Sequence, residues 1–140
     1  MKQTCTRRFE WDSGHRVLGH GGKCRHIHGH RYSAEVTVSA EQLDSLGMVL
    51  DFSVLKQKVG NWIESSWDHR LLLCYDDPQL EYLTKTEEQP PYVMPTGNPT
   101  AENMAQVLFQ EASKLLEGTG IKVVHVRLYE TPNCAADYEE

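Results

Sequence analysis

Three histidines, His15, His28 and His30, stand at spacings from which their imidazoles could converge on one metal ion. His28 and His30 are separated by Gly29 alone. Side chains of an extended chain alternate in direction, so the two rings point the same way, two residues apart. On an earlier segment Phe9, Trp11, Ser13 and His15 share one phase of the same alternation. Antiparallel pairing of the two segments would bring His15 alongside the other two rings. Three nitrogens leave the fourth position of a tetrahedral zinc ion open, as in catalytic rather than structural zinc sites. A lone histidine ending an apolar face is more often a hydrogen-bonded core or surface residue, so the reading rests on the coincidence of three in phase. By spacing alone the pattern specifies a metal and no particular reaction.

Other residues could supply acid–base chemistry beside such a centre. Cys24 lies four residues before His28, which places its thiol at the mouth of the site, where nearby positive charge favours the thiolate. It is a candidate general base. Asp68 and His69 put a carboxylate next to an imidazole, a pair suited to relaying protons and equally suited to a polar turn ending a helix. Glu130 falls in phase with Val124, Val126 and Leu128, so its carboxylate ends a core-facing side and must find donors, whether arginine, backbone or ligand N–H groups. His20 and His26 are out of phase and are expected to face solvent. His125 lies opposite the Val124–Val126–Leu128 face. Arg25 and Arg31 are candidates for phosphate contact, set against the commoner role of solvated charge. The remaining cysteines, Cys5, Cys74 and Cys134, form no CxxC pair and read as small reduced side chains.

The elements that must position these residues follow from periodicity. Residues 5–17 and 28–39 alternate as half-buried strands, separated by a glycine-bearing loop at 18–25. Asp51 can cap a helix over 52–66 with Phe52, Leu55, Val59 and Ile63 at helical spacing, although Gly60 weakens its middle. Residues 75–99 hold five of the prolines and read as a long excursion with one strand near 92–94. Thr100 can cap a second helix carrying Met104, Leu108, Ala112 and Leu115, and residues 123–131 form a last strand. This order favours an antiparallel α+β domain over a doubly wound one. A length of 140 residues with 39% hydrophobic content fits one domain over 1–140. A net charge of -6 offers no footprint for nucleic acid. No apolar run spans a bilayer and no signal-peptide core follows the N-terminus, so a cytoplasmic protein without membrane contact is expected.

Taken together these residues resemble the family of 6-pyruvoyltetrahydropterin and 6-carboxytetrahydropterin synthases over nearly the whole chain. Cys24 to His30 looks like its CxxxHGH motif, preceded by a stretch similar to Phe9 to His15. Val49-Leu50-Asp51-Phe52, Asp68-His69, Pro99-Thr100-Ala101-Glu102-Asn103 and Tyr129-Glu130-Thr131 are similar to its other blocks, in the same order. The resemblance implies zinc on His15, His28 and His30, Cys24 as proton acceptor and Asp68 with His69 as its relay. It also implies Glu130 as anchor of the pterin ring and part of the relay. Thr100 and Glu102 are candidate substrate contacts, or residues that only begin a helix. The resemblance further implies the tunnelling fold: a four-stranded antiparallel sheet with two helices on one face, copies of which join into trimers or hexamers with shared active sites.

The short spacing between Cys24 and His28 looks like the carboxypterin branch, which serves queuosine synthesis. The implied reaction converts 7,8-dihydroneopterin triphosphate and water into 6-carboxy-5,6,7,8-tetrahydropterin, acetaldehyde and triphosphate. The alternatives are a 6-pyruvoyltetrahydropterin synthase, a non-catalytic zinc-stabilised pterin-binding or oligomerisation module, and a general zinc hydrolase. Cys24 with Asp68 and His69 distinguishes the synthases from simple hydration.

Overall fold

The structure, a computed structural model, describes residues 3–140. Strands β1 (Gln3–His15) and β2 (His28–Ala40) form an antiparallel pair whose partners run from Gln3 opposite Ala40 to His15 opposite His28. Their alternation is the one the residue types dictate. Trp11, Ser13 and His15 on β1 and Tyr32, Ala34, Val36 and Val38 on β2 are buried, while Arg8, Glu10, Asp12 and Arg31 are exposed.

Helix α1 spans residues 52–66 and is capped by Asp51, whose carboxylate accepts from the Ser53 N–H at 2.8 Å. Its middle, Lys56–Gly60, relaxes into a π-helical turn. Gly60 at the end of that turn faces the Phe9 ring, so the weakness expected there becomes a local change of pitch rather than a break. Next come β3 (Arg70–Cys74), helix α2 (Leu80–Thr86), β4 (Tyr92–Met94) and helix α3 (Ala101–Leu115). Strands β5 (Lys122–Thr131) and β6 (Cys134–Glu139) close the order.

The strands make one sheet in the order β4-β3-β1-β2-β5-β6. Strand β3 runs parallel to both β1 and β4, and the other neighbours are antiparallel. The α+β class stands, but the expected four-stranded antiparallel sheet with two helices does not. Among the described residues the sheet has six strands and is mixed, with three helices. Strand β3 escaped detection because Leu72, Leu73 and Cys74 are buried in succession, which erases the two-residue period. Strand β6 escaped because its residues are mostly exposed and its charges resemble those of a tail. Helix α2 is a short surface turn inside the proline-bearing excursion, held partly by a Lys85–Glu81 ion pair at 2.9 Å.

The core lies between one face of the sheet and helices α1 and α3. Trp11, Tyr32, Val36, Val126 and Leu128 meet Leu55, Val59, Met104 and Leu108, all at 3% exposure or less. Trp11 stacks on Tyr32 with ring centroids 5.7 Å apart. The opposite face carries charge instead: Arg31 pairs with Asp12, and both His125 and Arg127 reach Asp137. Strand β5 is bulged beside Val38, and the extra residue puts Val123 rather than Val124 into the core. None of the described helices is long and apolar enough to cross a membrane.

Leu108 is fully buried whereas Leu46 is 79% exposed. Leu108→Ala should therefore lower unfolding free energy by about 2–5 kcal/mol, and Leu46→Ala by less than about 0.5 kcal/mol. Urea melts of the two variants check this.

Candidate metal and active site

The register that pairs His15 with His28 brings three imidazoles to the end of β1 and β2, on the core face. Centroid separations are 4.7 Å for His15 and His28, 5.1 Å for His15 and His30, and 4.9 Å for His28 and His30. One ring nitrogen from each lies within 4.8 Å of the others. Close approach of the strands here depends on Gly29. A Cβ at that position would sit 3.3 Å from the Ser13 carbonyl oxygen.

Hydrogen bonds fix which nitrogen is available on two of the three rings. His15 Nδ1–H donates to the Pro99 carbonyl at 2.7 Å, and His28 Nδ1–H donates to the His26 carbonyl at 2.7 Å. A carbonyl can only accept, so Nδ1 holds the proton and Nε2 presents its lone pair. His15 Nε2 and His30 Nε2 are buried and have no hydrogen-bond partner. Buried, unpartnered ring nitrogens converging at the end of a sheet are what a bound cation would satisfy, and three neutral imidazoles suit zinc among the common metals. Burial lowers the pKa of His15 and His30, opposing the attraction of the Glu130 carboxylate, and so favours the neutral, ligating form.

Glu130 reaches this cluster through a second bulge. Tyr129 pairs with Ala135 and Thr131 with Cys134, which leaves Glu130 as the extra residue of β5. Its Oε1 stands 3.4 Å from His15 Nε2 and 3.8 Å from His30 Nε2. Tyr32 lies beneath, its ring edge-on to His15 and His30 at 5.8 and 5.5 Å. Its buried hydroxyl has no partner. Burial, then the charges of Glu130 and Cys24, drive the Tyr32 phenol well above its ordinary pKa.

Cys24 is half-buried in a short 3-10 turn, Lys23–Arg25, and its carbonyl accepts from the Val17 N–H at 2.8 Å. With Glu130, Thr100, Glu102 and His20 it lines a cavity of about 390 Å³. Thr100 caps α3 by accepting from the Asn103 N–H at 3.1 Å, and Glu102 opens the first turn. Asn98 ties the Cys24 loop to this helix start. Its amide both accepts from the Leu18 N–H and donates to the Leu18 carbonyl, at 2.9 and 3.0 Å. Asn98 and the Pro99 carbonyl are supporting groups that pattern reading missed. An Asn-Pro pair before a helix cap marks a turn, but its partner is 80 residues away.

Asp68 and His69 lie elsewhere in this chain. His69 Nδ1–H donates to Asp68 Oδ1 at 2.9 Å, and that oxygen also accepts from the Asp12 N–H at 3.2 Å. His69 adjoins a second cavity, which is lined by Asp12, Gly14, Gly29 and Arg31 and reaches His28 and His30, but is not lined by Cys24 or Glu130. One chain therefore groups Cys24 with Glu130 and keeps the carboxylate–imidazole pair apart from them. His20 and His26 are exposed as expected, yet His20 borders the Cys24 cavity. Arg25 spends a guanidinium nitrogen on the Gly21 and Gly22 carbonyls, and Arg31 pairs with Asp12.

Fold and site together give an α+β protein with three histidines placed to hold a metal ion and a thiol-bearing cavity beside them. The sequence profile described as PTPS, 6-pyruvoyl tetrahydropterin synthase, matches residues 4–140. A curated relative from Rickettsia felis named 6-carboxy-5,6,7,8-tetrahydropterin synthase is 45% identical over 132 residues, covering 93% of this chain and 95% of its own. One of the same name from Aquifex aeolicus is 33% identical and covers 100% of this chain and 99% of its own. The solved 6-pyruvoyl tetrahydropterin synthase of Caenorhabditis elegans shares the fold, with a TM-score of 0.71 and 24% identity over 100% of this chain and 96% of its own. The chain belongs to the 6-pyruvoyl tetrahydropterin synthase family, a family of enzymes.

Replacing any one of His15, His28 or His30 by Ala should weaken metal binding more than about 100-fold, beyond the loss expected for a supporting partner. Competition with a chelating dye measures this. In metal-free protein the unfolded chain protonates its histidines near 6.5, while burial holds His15 and His30 lower. The unfolded state then binds more protons, so stability should fall as pH drops below about 6.5. Urea midpoints between about pH 7.5 and about pH 5.5 should show this fall, and His15→Leu should reduce it.

Proposed function

We propose that this chain is a zinc-dependent 6-carboxy-5,6,7,8-tetrahydropterin synthase. It would be a cytoplasmic lyase that converts 7,8-dihydroneopterin triphosphate and water to carboxytetrahydropterin, acetaldehyde and triphosphate for queuosine synthesis. The observation that carries the reading is the grouping of His15, His28 and His30 with Glu130, beside a cavity that Glu130 shares with Cys24. Curated relatives bearing this activity in their names match nearly end to end. The short Cys24–His28 spacing agrees with that branch and not with the pyruvoyl-forming one.

His15, His28 and His30 would hold the ion. Bound there, zinc would supply Lewis acidity toward oxygens of the substrate side chain. Glu130, re-aimed by its bulge, accepts the ring N–H groups of the pterin in charge-assisted hydrogen bonds and orients the side chain toward Cys24. Cys24 takes and returns carbon-bound protons. Thr100 and Glu102 contact the substrate from the start of α3, with the Thr100 O–H free to donate while its oxygen caps the helix.

Asp68 and His69 serve as the proton relay of a neighbouring copy's Cys24. The outer edges of the sheet, β4 and β6, leave backbone groups available for pairing with other copies. Assembly as a trimer or hexamer would then complete each site across a subunit boundary.

Mass analysis of products from zinc-loaded protein and 7,8-dihydroneopterin triphosphate tests the reaction. Acetaldehyde and carboxytetrahydropterin are expected, and a pyruvoyl product would move the chain to the other branch. Cys24→Ala should keep its metal and lose about 10²–10⁴-fold in kcat. The shared site has its own check. Cys24→Ala and His69→Ala proteins, each inactive, should regain activity when dissociated and reassembled together, and no recovery would place the relay within one chain.

A further inference from the structure

His20 lies in the loop between the first two strands and takes no part in the roles assigned above. Its ring is held in place nonetheless. The Gly22 N–H donates to His20 Nδ1 at 2.8 Å. A backbone N–H can only donate, so Nδ1 is the unprotonated nitrogen and Nε2 carries the hydrogen. Gly22 also leaves the ring its space. A Cβ there would stand 3.1 Å from His20 Cε1 and 3.4 Å from Nδ1. The loop thus holds the ring against its own backbone and leaves an Nε2–H donor free.

That donor belongs to the rim of the Cys24 cavity. His20 is exposed, Cys24 is half-buried, and the Glu130 side chain is 29% exposed beside buried His15. A ligand with its ring on Glu130 and its side chain near Cys24 extends outward toward His20. Among the described residues lining this cavity, His20 is the one that offers a ring N–H donor, since the others are apolar, hydroxyl, thiol or acidic. Of the basic side chains nearby, Lys23 is exposed in the same loop but does not line the cavity, and three arginines are engaged elsewhere. Arg16 makes a bidentate pair with buried Asp77, Arg25 braces the loop carbonyls, and Arg31 lies on the other face.

We infer that His20 is the contact of this chain for the phosphate chain of the substrate, donating from Nε2 to a phosphate oxygen at the cavity mouth. This rests on the proposed substrate being a pterin triphosphate. The contact is made equally in ground and transition states, so it acts on binding and on discrimination between phosphorylated and dephosphorylated pterins.

Two measurements on zinc-loaded protein separate this role from the assigned function. In turnover of 7,8-dihydroneopterin triphosphate, His20→Ala should raise KM about tenfold with kcat within about twofold, the size of one lost charge-assisted hydrogen bond. His20→Gln, which keeps an N–H donor, should recover part of that loss. In calorimetry without turnover, His20→Ala should weaken inorganic tripolyphosphate by a similar factor and leave dephosphorylated 7,8-dihydroneopterin unchanged. Unaltered KM and tripolyphosphate binding in His20→Ala would overturn the inference, as would equal weakening of both ligands. If the wild-type protein makes no product, the assigned reaction fails, and the tripolyphosphate comparison still decides for or against His20.

Discussion

The antiparallel register between β1 and β2 is the constraint on which the site depends. His15 faces His28 across that pair, and the same alignment sets Trp11 opposite Tyr32 in the core. A slip of one residue would turn every side chain of one strand to the other face, separating the histidines and exposing the aromatic core together. The metal site and the hydrophobic core are therefore specified by the same pairing. Burial of the core fixes, as a by-product, three imidazoles that would otherwise have no reason to meet.

What the register cannot do is aim the rings or complete the cavity, and distant backbone does that. The Pro99 carbonyl sets the His15 tautomer, and Asn98 clips the Cys24 loop to the start of α3. A bulge frees Glu130 from its ladder and turns its carboxylate toward the histidines. These devices add chemistry at points where regular structure ends, as is usual for sites built on the rim of a sheet. Cys24 and Glu130 line one cavity of the chain and neither Asp68 nor His69 lines it, which is why the proposed relay is assigned to a neighbouring copy.

Much of this was legible in the sequence because the alternation on β1 and β2 is nearly unbroken. His28, His30 and His15 declare their face through their neighbours Tyr32, Ala34, Trp11 and Ser13. The caps Asp51 and Thr100 mark both long helices correctly. Strands β3 and β6 were not legible, since burial in succession hides the one and solvent exposure hides the other. The phase of Glu130 was anticipated, but Val124 misled as a marker of the core because the bulge beside Val38 shifts Val123 into it. His20 was read as solvent-facing, and its place on the cavity rim depends on loop geometry that carries no periodicity.

The central claim is that one ion is held by His15, His28 and His30 with a position left open for substrate. X-ray absorption on the zinc-loaded protein tests it most directly. The account predicts three imidazole nitrogens and one oxygen near 2.0 Å, to an accuracy of about 0.2 Å. A sulfur shell at about 2.3 Å would make Cys24 a ligand rather than a base. That result, or fewer than three imidazoles, would contradict the account.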